Sequence, residues 1–204
     1  MPMLPKSFFY LCCIILLFSS CVSFTGIQTA KTLGKNNTSI GLFFGFVPDQ
    51  DVLATNALDS LIDIGYNYGF SMSHGIMDNL DIYARIGLQN TNYGLKYRLN
   101  NLSNQKFALA VGLDHQLNFP DSYLGIPFYM SFHSSPSISV YSIVSPYLQL
   151  NNVMDQSVYS LMNGISYQHQ NLVLSVELVN VNEFGSNPFD YHQFNLGFSY
   201  LINP

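Results

Sequence analysis

Between residues 62 and 72, Ile62, Ile64, Tyr66, Tyr68, Phe70 and Met72 alternate strictly with Asp63, Gly65, Asn67, Gly69 and Ser71. A period of two separates side chains onto two faces only in an extended strand. One face here is bulky and apolar, while the other is small or polar and carries no Lys or Glu. Such a strand suits lipid on one side and a narrow polar interior on the other.

The rest of the chain has the composition this pattern requires. Charged residues make up 9% of the 204 residues and hydrophobic ones 48%, against about 25% charged in ordinary soluble domains. A water-facing surface is hard to build from so few charges. The 14 Tyr and 16 Phe suit strand faces and membrane interfaces. A formal net charge of −5 with seven scattered Lys and Arg argues against nucleic acid as a partner, which wants clustered cations. The length allows one domain.

The amino terminus reads as a targeting segment. Lys6 precedes an apolar run from Phe8 to Phe18, too short for a membrane helix of about 20 residues but right for the core of a secretory signal. Leu17-Phe18-Ser19-Ser20-Cys21 follows and resembles the lipobox of bacterial lipoproteins, departing from it at Phe18, where that family usually carries an aliphatic residue. The resemblance implies cleavage before Cys21, acylation of that residue, and loss of Cys12 and Cys13 with the signal. The alternative is ordinary signal-peptidase cleavage near Ser23. Either way no intrachain disulfide is possible. Thr29-Ala30-Lys31-Thr32-Leu33-Gly34-Lys35-Asn36, after a Cys and a short spacer and before alternating strands, resembles small outer-membrane β-barrel lipoproteins. The expected division is residues 1–20 as signal peptide, 21–37 as a tether and 38–204 as a transmembrane barrel.

From Ser39 onward the alternation recurs, broken by Asn, Asp, Ser, Gly and Pro about every ten residues, the sequence form of an all-β, antiparallel, up-and-down transmembrane β-barrel. Ten strands are predicted (alternative eight): near 39–46, 62–72, 80–89, 93–99, 107–114, 124–133, 137–150, 157–168, 172–180 and 191–202. Pro127 and Pro146 predict a bulge or a strand end in the sixth and seventh, since proline lacks a ladder donor. A tight turn is expected at His169-Gln170-Asn171. Ten strands put both ends on one side, taken as periplasmic, and send residues 47–61, 89–92, 117–123, 151–156 and 181–190 outward from the cell. A soluble, lipocalin-like exported barrel is the competing reading, but its small interior would be overfilled by the bulky face.

Charges in membrane-embedded strands must face inward and find partners there. Asp63, Asp81, Arg85, Lys96, Arg98, Asp114 and Glu177 are the expected lumen charges, forming an ion-pair network or, alternatively, a polar pathway or binding cavity. His133-Ser134-Ser135 resembles the His-x-Ser element of outer-membrane lipid A deacylases, which need an acid beside the His. Glu177 and Glu183 lie far off in sequence. No metal-ligand spacing, phosphate loop or nucleotide fingerprint is present, so no cofactor and no metal is expected.

The expected function is a Gram-negative outer-membrane barrel lipoprotein without catalysis, in a structural, surface-interaction or narrow transport role. Its partners would be outer-membrane lipids and lipopolysaccharide and the barrel-assembly and lipoprotein-sorting machineries. The alternatives are a barrel-embedded lipid hydrolase and the soluble binding protein. Lipidation is checked by mass spectrometry of the mature amino terminus, which should show acyl chains on Cys21, because several chains anchor firmly where one holds weakly. An unmodified start at Val22 or beyond would contradict it.

Overall fold

The computed structural model describes residues 28–46, 66–87, 90–100, 106–118, 121–150, 157–183 and 191–203. Cys21, Asp63 and the first part of the 62–72 stretch lie outside them. The strands are β1 (Thr38–Phe46), β2 (Tyr66–Met77), β3 (Leu80–Gly87), β4 (Thr91–Arg98), β5 (Phe107–Asn118), β6 (Asp121–Gly125), β7 (Phe128–His133), β8 (Ile138–Gln149), β9 (Ser157–His169), β10 (Leu172–Glu183) and β11 (Tyr191–Ile202). Chain neighbours other than β6 and β7 pair antiparallel, β4 with β5 among them, and β1 pairs with β11. The sheet therefore closes on itself.

β6 and β7 are two halves of one stave. β5 pairs with both, at Asp114↔Gly125 and at Val111↔Phe128, and β8 does the same. The gap falls where Pro127 and Pro146 each withhold a ladder donor. Their carbonyls still accept, from Gly112 N at 2.7 Å and from Ile126 N at 3.1 Å, which keeps the halves in line. The barrel thus has ten staves, not eight. The strand end expected at Pro127 is present. At Pro146 neither a bulge nor an end occurs: β8 runs straight through it, with Pro146 opposite Tyr159, because the missing N–H points at the gap.

Other boundaries differ from the sequence reading: β2 runs on to Met77 rather than 72, and β4 starts at Thr91, inside the expected 89–92 loop. Residues 117–123 do not form a long loop: β5 and β6 stay in register out to Asn118↔Asp121. Likewise β10 runs on to Glu183, opposite Val158, into the expected loop at 181–190. At the other end, Gln170 takes the left-handed φ of 52° that closes the tight β9–β10 turn.

Alternation sets the two faces. Leu42, Phe70, Met72, Ile86, Leu113, Phe128, Ile165 and Phe198 point outward and are exposed, Phe70 the most at 66%, whereas Asp81 and Glu177 inside are each 1% exposed. A soluble lipocalin-like barrel needs the reverse arrangement. The outer belt is interrupted at Ser142 and Asn163, which sit opposite each other on β8 and β9, with Asn163 exposed.

If this belt meets hydrocarbon, Phe70→Lys, near the middle of β2, should cost about 2–4 kcal/mol, while Asn163→Leu should be neutral or stabilising. Urea unfolding in lipid vesicles ranks them; equal tolerance of both substitutions would contradict the assignment.

Candidate functional site in the lumen

β3, β4 and β5 carry most of the charge in the barrel interior. Asp81, Arg85, Lys96, Arg98 and Asp114 are each 4% exposed or less, brought together because each sits on the inward phase of its strand. Glu177 lies on β10, where its carboxylate accepts from Asn195 Nδ2 at 3.0 Å. Asp63 is outside the described residues.

Lys96 and Asp81 are cross-strand partners, with Nζ 3.2 Å from Oδ2. A buried pair of this kind survives only if its remaining donors and lone pairs are also satisfied. Here the amino-terminal segment satisfies them. Lys96 Nζ donates to the carbonyls of Thr29 at 3.2 Å and Lys31 at 3.0 Å, which accounts for all three ammonium hydrogens. Leu33 N donates to both Asp81 oxygens, at 3.1 and 3.2 Å. Thr32 Oγ1 donates to Asp78 O, and Gln28 Nε2 to Ser73 Oγ. Residues 28–33 therefore pack into the barrel mouth, with Ala30 fully buried.

Two glycines let the segment come so close. Gly34 has φ +85°, a left-handed value that costs any side-chain-bearing residue. A β-carbon on Gly75 would collide with the Gly34 carbonyl. Between them, Asn36 N donates to Gly75 O at 2.8 Å and Gly75 N to Asn37 O at 2.9 Å, so the segment extends the pairing of β2.

Further along the lumen a tyrosine cluster closes over Asp114. Its Oδ2 accepts from Asn92 Nδ2 at 3.1 Å, Tyr83 OH at 3.3 Å and Tyr147 OH at 3.5 Å, and Tyr129 OH donates to Tyr83 OH at 3.3 Å. The Arg85 guanidinium lies 4.8 Å from the Tyr83 ring centroid, a cation–π distance. Across the barrel, Ile143, Met162 and Val179 fill the space with apolar side chains, each no more than 2% exposed. The sequence reading puts Tyr83 inward, as found, but misses these inward apolar residues and the other lumen tyrosines, Tyr129, Tyr141 and Tyr147. Their phase was available from Gly164, which shares the face of Met162 and Ser166 on β9 and leaves room for the Tyr141 ring.

His133 ends β7. One of its ring nitrogens is hydrogen-bonded to Ser139 Oγ at 2.5 Å and the other to Ser131 Oγ at 3.2 Å. Ser135 instead closes its own turn, its Oγ accepting from Ser137 N and Ile138 N. The structure therefore does not join His133 to Ser135, and serines rather than an acid hold the imidazole. Among the described residues no group of His, Cys, Asp and Glu could hold a metal ion.

A cavity of about 280 Å³ lies between residues 28–33 and the wall, bounded by residues of β1, β2, β8, β9, β10 and β11 as well as Arg85, Lys96 and His133.

Among solved structures, the COG4313 outer membrane channel from Pseudomonas putida F1 is similar over 88% of this chain and 100% of its own, at TM-score 0.54 and 8% identity. The NanC porin matches 79% of this chain and 98% of its own, at TM-score 0.52 and 6% identity. The KdgM porin in complex with disordered oligogalacturonate matches 81% and 99%, at TM-score 0.50 and 12% identity. These likenesses establish a shared outer-membrane barrel fold. No protein-family model matches the sequence, and no curated protein does.

If the Lys96–Asp81 pair anchors the segment, Lys96→Met should cost about 3–5 kcal/mol by leaving a buried carboxylate uncompensated. Adding Asp81→Leu should recover much of that loss. A double-mutant cycle from urea unfolding checks both; additive losses would contradict the coupling.

Proposed function

We propose that this chain is a porin-like bacterial outer-membrane barrel whose lumen is closed at rest, serving a structural, surface-interaction or narrow transport role without catalysis. The observation that carries this reading is the double filling of the lumen. The Tyr83, Tyr129, Tyr147 and Asp114 cluster occupies the interior, and residues 28–33 pack into the mouth against Lys96 and Asp81. Ten strands enclose little space beyond what side chains take up, so a wall that also holds a peptide segment leaves no continuous aqueous channel.

Acylation at Cys21, with both termini on the periplasmic side, belongs to the same proposal. The lipobox-like Leu17 to Cys21 supports it, and a lipid anchor would fit a chain that enters the barrel at the end where residues 28–33 dock. Outer-membrane lipids, lipopolysaccharide and the assembly and sorting machineries are the partners this location implies. The hydrolase alternative draws less support, since His133 is held by Ser131 and Ser139.

The purified, folded protein in planar bilayers should show little or no steady conductance. Large, stable single-channel currents would overturn the closed-lumen reading and make Arg85, Lys96 and Arg98 a selectivity element.

A further inference from the structure

We propose that the outward face of β8, β9 and β10 is the contact surface for a second copy of this chain in the membrane, paired across a two-fold axis beside Asn163. The observation is a polar pair set in the middle of the apolar belt. Ser142 and Asn163 are direct cross-strand partners. Both take the outward phase, since their chain neighbours Tyr141, Ile143 and Met162 are each 3% exposed or less.

The depth of the pair follows from the strand itself. On β9, Asn163 lies midway between Tyr159 and Tyr167, which share its outward phase. At about 3.3 Å per residue and a tilt of about 40°, those tyrosines stand roughly 20 Å apart along the membrane normal. Outer-membrane barrels carry aromatic girdles at both interfaces, so this spacing puts Asn163 near the midplane.

An amide has two donor hydrogens and a carbonyl with two lone pairs, more than the one neighbouring hydroxyl of Ser142 can fill. Hydrocarbon at that depth offers neither donor nor acceptor. A second copy inserted in the same orientation carries its own Asn163 at the same depth. Two amides facing each other across a two-fold axis are self-complementary, each donating to the other's carbonyl. Polar side chains join segments inside membranes in this way.

The surrounding surface suits a flat contact. β8, β9 and β10 contain no Phe, whereas β1, β2, β7 and β11 set Phe44, Phe70, Phe128 and Phe198 outward. Beside the polar pair stand Val144, Leu161 and Leu178, aliphatic side chains that let two walls approach closely.

This surface lies outside the lumen, so the proposal stands whether or not the barrel conducts, and the bilayer recording does not bear on it. The test is sedimentation equilibrium of the folded protein in density-matched detergent micelles, where a reversible equilibrium between monomer and dimer is expected. Asn163→Leu should weaken association by about tenfold or more; because it removes a polar group from the belt, it spares the barrel itself. Val144→Trp, which raises a ring beside the pair, should also weaken association, whereas Phe70→Leu, on the far side of the barrel, should leave it unchanged. Heat-modifiable gel mobility reports folding of each variant, and Val144→Trp decides the matter if Asn163→Leu fails to fold. A wild type that stays monomeric at every concentration, open-ended assembly, a dimer that folded Asn163→Leu does not weaken, or equal weakening by Phe70→Leu would overturn the proposal.

Discussion

A closed ladder pairs the backbone of the wall with itself, so the side chains alone decide which solvent each face meets. In this barrel the outward phase holds large apolar residues and the inward phase holds the charges. Everything else follows from that separation. A charge that cannot face lipid must be satisfied in a narrow interior, and an unpaired one there costs several kcal/mol. The interior is therefore built as pairs and clusters: Lys96 with Asp81, Asp114 with tyrosine hydroxyls, Glu177 with Asn195.

The Lys96–Asp81 pair links this constraint to function. The pair alone would leave two ammonium hydrogens and most carboxylate lone pairs without partners. Three backbone groups of residues 29–33 supply them, and in doing so they narrow the mouth. Satisfying one buried ion pair thus also narrows one end of the lumen, beside a hydroxyl-lined cavity.

Much of the wall was legible in the sequence because alternation is a local signal. β11 runs from Tyr191 to Ile202 as the pattern predicts, with no proline to interrupt it. The inward phase of Asp81, Arg85 and Lys96 followed from small or apolar neighbours at fixed parity. Less was legible where local signals mislead. Asn118 and Asp121 are turn formers, yet they pair across β5 and β6, since a tight connection needs such residues at strand ends. Pro146 breaks nothing because its missing donor meets the gap that Pro127 already makes. On β8 and β9 both phases carry apolar residues, so Ile143 and Met162 could not be assigned inward from hydropathy alone. The docking of residues 28–33 was invisible for another reason: it depends on residues 45 to 67 positions away, which only the closed barrel brings together.

The central claim is that the apolar phase meets lipid and the opposite phase does not, and methyl groups report this directly. In a methyl-labelled sample in lipid nanodiscs, nuclear Overhauser contacts to acyl-chain methylenes are predicted for Ile40, Leu42, Val140 and Ile165. None are predicted for Ile143, Met162 and Val179. Acyl-chain contacts to the second set and not the first, or a folded protein that takes up no lipid, would contradict it.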